Sequence, residues 1–184
     1  MVKYPNNIRK KTGSSVSHAN RGMSLENTLN ETNEYYKNAD IALIYKKPTP
    51  IGTVKVSYEK KKKIIDRTYF KAPSTLDYNG LYKGKYIEFE AKETKNKNLF
   101  PLSNIHPHQI LHIRKVLKHL GICFLIINMN SCIYLIKGED FITFIDSEKR
   151  KSLPYSFIKE KGFIVKVGYN PQCDYLKIID HIYF

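Results

Sequence analysis

Apolar and polar residues alternate over residues 85–92, with Ile87, Phe89 and Ala91 on one side and Glu88, Glu90 and Lys92 on the other. A period of two is the mark of a half-buried strand. Residues 75–82 read as a second strand, and Lys83-Gly84 supplies a two-residue turn between them. With that turn, residue i faces residue 167 − i, which puts Asp77 opposite Glu90 and Thr75 opposite Lys92 on one face.

Helical spacing appears twice. Between residues 20 and 38, Leu25, Leu29, Thr32 and Tyr36 recur at intervals of four, three and four, with Arg21 opening the first turn. Between residues 107 and 120, Gln109, Ile113, Val116, Leu117 and Leu120 share one face, and Gly121 is the expected stop. Residues 41–45 form a short apolar strand, and Pro48 and Pro50 then exclude a regular element. Residues 51–58 and 64–70 read as two strands of a protruding hairpin, whose tip at 59–63 carries Lys60, Lys61, Lys62 and Lys63. A polar connection is expected over 96–106. Residues 122–127 are continuously apolar, as in a strand buried on both faces. A turn at 128–131, a strand at 132–136, a short helix at 139–145 and a charged connection at 147–152 follow. A late strand at 163–167 precedes a last helix, for which Asp174 is the expected N-cap.

The 184 residues carry a net charge of +14, with lysine and arginine spread along the chain rather than gathered in one tail. A basic folded surface points to a polyanionic partner such as nucleic acid. Abundant Lys, Asn, Ile and Tyr without Trp also fit codon bias in an AT-rich genome. Residues 1–19 are basic, polar and aperiodic, and read either as an arm able to lie along phosphates or as a frayed terminus. Three cysteines without metal-ligand or disulfide spacing fit a reducing compartment. No apolar run approaches the ~18 residues that a membrane span needs, so a cytoplasmic protein is expected.

Carboxylates facing each other across a hairpin repel. A divalent cation between them reverses that, since hard oxygen ligands suit Mg²⁺. A lysine beside them can stabilise charge that develops on a phosphate. Asp77, Glu90 and Lys92 in this register therefore suggest metal-dependent phosphodiester cleavage, against the alternative of a surface hairpin with solvated charges. Glu26 reads either as a first-turn acid favoured by the helix dipole or as a further carboxylate at the site. Gln109 reads as a site residue or as a capping amide. The four lysines at 60–63 read as a solvated loop or as a DNA contact. His106, His108 and His112 lack the HExxH spacing of a zinc site and no carboxylate accompanies them; contact with phosphate fits them better.

The stretches RGMSLE (21–26), KKPTPI (46–51), YFKAPSTLDYNG (69–80), YIEFEAKET (86–94), FPLSNIHPHQ (100–109), GICF (121–124) and GYNPQCDY (168–175) resemble, in family order, the RecU family of bacterial Holliday junction resolvases. The resemblance implies an α/β fold with a restriction-endonuclease-like core: a mixed central sheet flanked by helices, with a protruding β-hairpin stalk at 46–71. One nuclease domain over 1–184 is expected, with the basic arm at 1–19. By motif match, Thr75, Asp77, Glu90 and Gln109 would be the magnesium-site residues and Lys92 the transition-state stabiliser. Glu26 is a weaker active-site candidate, since related nucleases bring a first-helix carboxylate to the site. Mn²⁺ is expected to substitute for Mg²⁺. Arg21 and Lys60, Lys61, Lys62 and Lys63 are the candidate DNA-binding residues. The implied partners are a four-way DNA junction, a second copy of the chain and, as a candidate, the bacterial recombinase filament. The implied activity is symmetric nicking of junctions in homologous recombination and DNA repair. The alternatives are a sequence-specific duplex endonuclease on the same core, and a non-catalytic DNA-binding or recombinase-regulating protein. Leu76 stands where a polar residue would be expected, with its side chain expected on the face away from Asp77.

Overall fold

The computed structural model describes residues 24–48, 51–59, 62–70 and 75–184, the strands within 51–70 through their backbone pairing. The arm at 1–19, Arg21, Lys60 and Lys61 lie outside these residues. Helix α1 (Leu25–Asn38) begins at Ser24, whose hydroxyl accepts from the Asn27 N–H at 3.3 Å. Its expected face is the buried one: Leu25, Leu29, Thr32 and Tyr36 all lie inside. Strand β1 (Leu43–Lys46) follows, then β2 (Ile51–Glu59) and β3 (Lys62–Phe70), which pair with each other as a separate two-stranded sheet. These strands run closer to the tip than periodicity indicated. Lys62 pairs with Glu59 and Lys63 with Tyr58, so both belong to β3 rather than to a loop.

Strands β4 (Tyr78–Tyr82) and β5 (Lys85–Glu93) form the central hairpin. Their pairing runs from Tyr78 opposite Phe89 to Tyr82 opposite Lys85, the expected register. Lys83 and Gly84 both take positive φ, 45° and 74°, as a turn matched to strand twist requires. Gly80 serves a different need: a Cβ there would lie 2.0 Å from the Leu43 carbonyl oxygen, so a side chain would push β1 off β4.

Two elements that lacked a clear period complete this region. In the connection at 96–106, β6 (Leu99–Pro101) pairs with β9 (Ser152–Pro154), and Phe100 between them is fully buried. Helix α2 (Pro107–Lys118) then crosses back to β7 (Ile122–Met129), which lies parallel to β5. The α2 stop differs from expectation. Leu120, not Gly121, takes the positive φ, and Leu120 is 81% exposed instead of sharing the buried face. A tight turn with positive φ at Asn130 and Ser131 leads to β8 (Cys132–Lys137). Helices α3 (Gly138–Ser147) and α4 (Tyr155–Lys161), edge strand β10 (Phe163–Val165) and helix α5 (Leu176–Tyr183) finish the chain. Asp174 does not cap α5; it accepts from the Tyr36 hydroxyl at 2.9 Å and pairs with Lys177 at 2.8 Å.

The main sheet is mixed, in the order β1-β4-β5-β7-β8-β10. Ile87, Phe89, Phe124 and Ile126 on one face pack with Leu25, Leu29 and Tyr36 of α1 and with Leu176 and Ile179 of α5. Cys123, Leu125 and Ile127 on the other face pack with Ile113 and Val116 of α2 and with Phe141 and Phe144 of α3. The α/β fold of a mixed sheet flanked by helices is therefore present, with the β2–β3 hairpin inserted between β1 and β4. Among the described residues, no helix is long and apolar enough to cross a membrane.

Candidate active site

Strand β5 carries Glu88, Glu90 and Lys92 on the face covered by α2 and α3, because period-two alternation sends Ile87 and Phe89 to the opposite core. The two glutamates are wholly buried. β5 lies inside the sheet, and its neighbour β7 contributes only Cys123 and Leu125 beside them. Asp77 precedes β4 rather than lying in it, yet its backbone N–H donates to Glu90 Oε2 at 3.1 Å. Lys92 Nζ contacts Glu90 Oε1 directly and lies 3.7 Å from Asp77 Oδ2. Asp77, Glu90 and Lys92 thus converge as the register predicted.

Beside them opens a cavity of about 740 Å³. Thr75, Asp77 and Lys92 line it, together with the α1 start at Ser24 and Glu26, with Lys46 at the end of β1 and with Lys47 after it. The α1 start is held there by the Glu93 carboxylate, which accepts from the Leu25 N–H, and by the Tyr78 hydroxyl, 3.0 Å from Asn30 Oδ1. Glu26 is half exposed at the cavity and forms an ion pair with Lys46. Gln109 is buried in the first turn of α2, where its Oε1 accepts from the His106 N–H at 2.9 Å. That is the capping role; among the described residues Gln109 has no hydrogen bond to Asp77, Glu90 or Lys92. Leu76 packs with Phe100, Ile105 and Ile113 on the same side of the sheet as Glu90. The expectation of the opposite face fails because residues 75–77 are bent rather than extended.

Burial and the nearby Asp77 charge push the Glu90 carboxyl up to about 7, against the pull of Lys92. For Lys92, burial favours the neutral amine, but Glu90 and Asp77 outweigh it and hold the ammonium above its usual range. Glu88 goes the other way from Glu90. Burial would raise it, but hydrogen bonds from Lys47, His112 and Tyr86 together keep it below the ordinary carboxylate range. His112 therefore does have a carboxylate partner, 2.8 Å away, supplied by a strand distant in sequence. Glu88, Lys46, Lys47 and Glu93 escaped the sequence reading. The one available signal was that Glu88 alternates in step with Glu90.

A hard divalent cation fits this donor set. Glu90 Oε1 is buried, and its neighbour among the described cations is the Lys92 ammonium, which it meets as an ion pair. A buried carboxylate beside a second, cavity-facing one is an oxygen donor pair of the kind hard divalent cations take. Among the described residues no group of three or more His, Cys, Asp and Glu side chains gathers, so neutral oxygens and water would have to complete the shell.

The model of the family described as "Recombination protein U" matches residues 20–181. The chain belongs to the RecU family. Relatives named Holliday junction resolvase RecU include one from Bacillus licheniformis, 47% identical, the alignment covering 100% of this chain and 98% of the relative. One from Bacillus cereus is 46% identical with the same coverages. One from a Geobacillus species is 48% identical over 91% of this chain and 87% of its own. Among solved structures, Hjc, a Holliday junction resolvase from Archaeoglobus fulgidus, aligns with a TM-score of 0.43 at 8% identity, covering 74% of this chain and 94% of that one.

Proposed function

We propose that this RecU-family chain is a magnesium-dependent, structure-selective endonuclease that resolves Holliday junctions by symmetric nicking, in homologous recombination and DNA repair. The observation that carries the reading is the convergence of Asp77, Glu90 and Lys92 on one sheet face beside an open cavity, in a chain about half identical to named resolvases.

Asp77 and Glu90 would hold the metal, with Thr75 and the second lone pair of Gln109 Oε1 completing or orienting its shell. A Mg²⁺ ion held there would supply a more acidic bound water and would draw charge from the scissile phosphate, and Mn²⁺ would be expected to serve in its place. Lys92, held charged by both carboxylates, faces the cavity and offers its ammonium to the phosphoryl oxygens as their charge grows. Attack by water releases the 3′ oxygen and leaves a 5′ phosphate. Glu26, which lines the same cavity, would be a further carboxylate at the site.

We assign the whole of residues 1–184 to one cytoplasmic nuclease domain. The stalk at 46–71 enters the junction, and Arg21 and Lys60 to Lys63 contact its phosphates. Two copies are required to cut opposing strands. An uncovered apolar stripe supports pairing: Leu43, Leu81 and Tyr86 lie in register across β1, β4 and β5, all more than 40% exposed. The recombinase filament is a candidate further partner.

The test is Mg²⁺-dependent cleavage of a synthetic four-way junction beside a linear duplex of the same sequence. Paired symmetric nicks in the junction and little cutting of the duplex are expected. Equal cutting of both would indicate a duplex endonuclease, and no metal-dependent cutting would leave a DNA-binding protein.

A further inference from the structure

The chain leaves the core for the β2–β3 hairpin after Lys47 and returns at Thr75. Both feet of that insertion are held by one oxygen atom. Glu88 Oε1 forms an ion pair with Lys47 Nζ at the departing foot and accepts from the Leu76 N–H at 3.3 Å at the returning foot. The feet are also tied to each other, the Lys47 N–H donating to the Asp77 carbonyl at 2.8 Å. The other oxygen, Oε2, accepts from the Tyr86 hydroxyl at 2.8 Å and meets His112 Nε2 at 2.8 Å, which anchors the carboxylate to β5 and α2. Asp77 is the residue after Leu76, and Glu90 lies two positions along β5 from Glu88.

We infer that Glu88 is a positioning residue that clasps the two feet of the hairpin insertion and thereby sets the separation of Asp77 and Glu90. It contacts neither Asp77 nor Lys92, so it acts through Leu76 and Lys47. Fold stability alone does not account for a wholly buried carboxylate: replacing buried ion pairs by apolar residues is often neutral or stabilising. A clasp has a specific use here. Asp77 lies outside any strand ladder, and among the described residues its other ties are its N–H bond to Glu90, its carbonyl bond from Lys47 and the approach of Lys92 Nζ to its carboxylate at 3.7 Å. The same clasp links the hairpin that would enter DNA to the carboxylate that would hold metal. This inference rests on the nuclease reading above.

The test measures Mn²⁺ binding by calorimetry to the full-length, DNA-free protein and to its E88Q, K47M and doubly substituted forms. A clasp predicts that E88Q and K47M each weaken Mn²⁺ binding, by about tenfold, as removal of outer partners of metal ligands does. It also predicts that the double variant is no weaker than the worse single one, because both break one contact. Simple electrostatics predicts opposite signs: losing the Lys47 charge would tighten Mn²⁺ binding and losing the Glu88 charge would weaken it, with the double variant restored. That pattern, or parental binding by E88Q, overturns the clasp. Should E88Q fail to fold, the sign of the K47M effect decides alone. Junction cleavage by the parent protein is read in parallel. A parent that binds Mn²⁺ without cutting junctions sinks the nuclease reading, whereas parental Mn²⁺ binding by E88Q in an active enzyme sinks only the clasp.

Discussion

The Asp77 N–H donates to Glu90 Oε2 at 3.1 Å, so the backbone that carries one carboxylate orients the other. This bond occupies one lone pair of Oε2, while the buried Oε1 and Asp77 Oδ2 both lie beside Lys92 Nζ. Two carboxylates that would repel in an ordinary hairpin are thus fixed with one oxygen each toward a common point.

Replacing either carboxylate with its amide keeps its shape and removes the charge that a cation needs. Asp77→Asn and Glu90→Gln should each lower the junction cleavage rate by at least ~10²-fold. Metal-free binding of the junction should persist in gel-shift titrations. Wild-type cleavage by either variant would remove that residue from the site.

Lys92 should separate chemistry from metal binding. Lys92→Met removes a cation from Glu90 Oε1, so Mn²⁺ affinity at pH 8 should hold or improve. Cleavage should still fall by about 10²–10³-fold, the usual cost of losing a group that stabilises transition-state charge. Calorimetry beside single-turnover cleavage would show the split; a parallel fall in both would make Lys92 a structural support.

Glu90 gives a pH signature. Its carboxyl is raised to about 7 in the fold by burial and by Asp77, while an unfolded glutamate titrates near 4.5. Between those values the folded state binds the extra proton, so the Glu90 contribution to stability is full below 4.5 and is lost as pH rises towards 7. Metal-free thermal melts should show that decline, and Glu90→Gln should abolish it. Protons and metal compete for the same oxygens, so the apparent Mn²⁺ dissociation constant should rise by up to ~10-fold per unit as pH falls below about 7. A pH-independent constant would contradict the assignment.

The lysine run at 60–63 should act through phosphates. Neutralising Lys60 to Lys63 should weaken junction binding and flatten its dependence on salt, by about 0.9 in the log–log slope for each phosphate that is no longer neutralised. An unchanged slope would remove the run from the DNA contact.

Gly80 tests the packing of the edge strand. Gly80→Ala places a methyl group 2.0 Å from the Leu43 carbonyl, a clash that only separation of β1 and β4 relieves. A destabilisation of about 1–3 kcal/mol, or roughly 2–10 °C in Tm, is expected. The same β1 leads into Lys46 and Lys47 at the cavity, so activity should fall with stability.

What the sequence alone dictates is local. The alternation in β5, the Lys83-Gly84 turn and the buried face of α1 depend on spacings within a few residues, and from these the convergence of Asp77, Glu90 and Lys92 followed. The family motifs, spread over nearly the whole chain, added the expectation of a junction substrate. Tertiary structure decided whatever depends on residues far apart in sequence. β6 and β9 exist because they pair with each other, and neither has a period of its own. Asp174 was taken from its capping position by the Tyr36 hydroxyl, 138 residues away. Glu88 looked like one more charge in an alternating strand; folding buried it among Lys47, Tyr86, Leu76 and His112. Short-range periodicity reports which face a residue occupies, but not what covers that face. The partners of a buried charge therefore came only from the packed molecule.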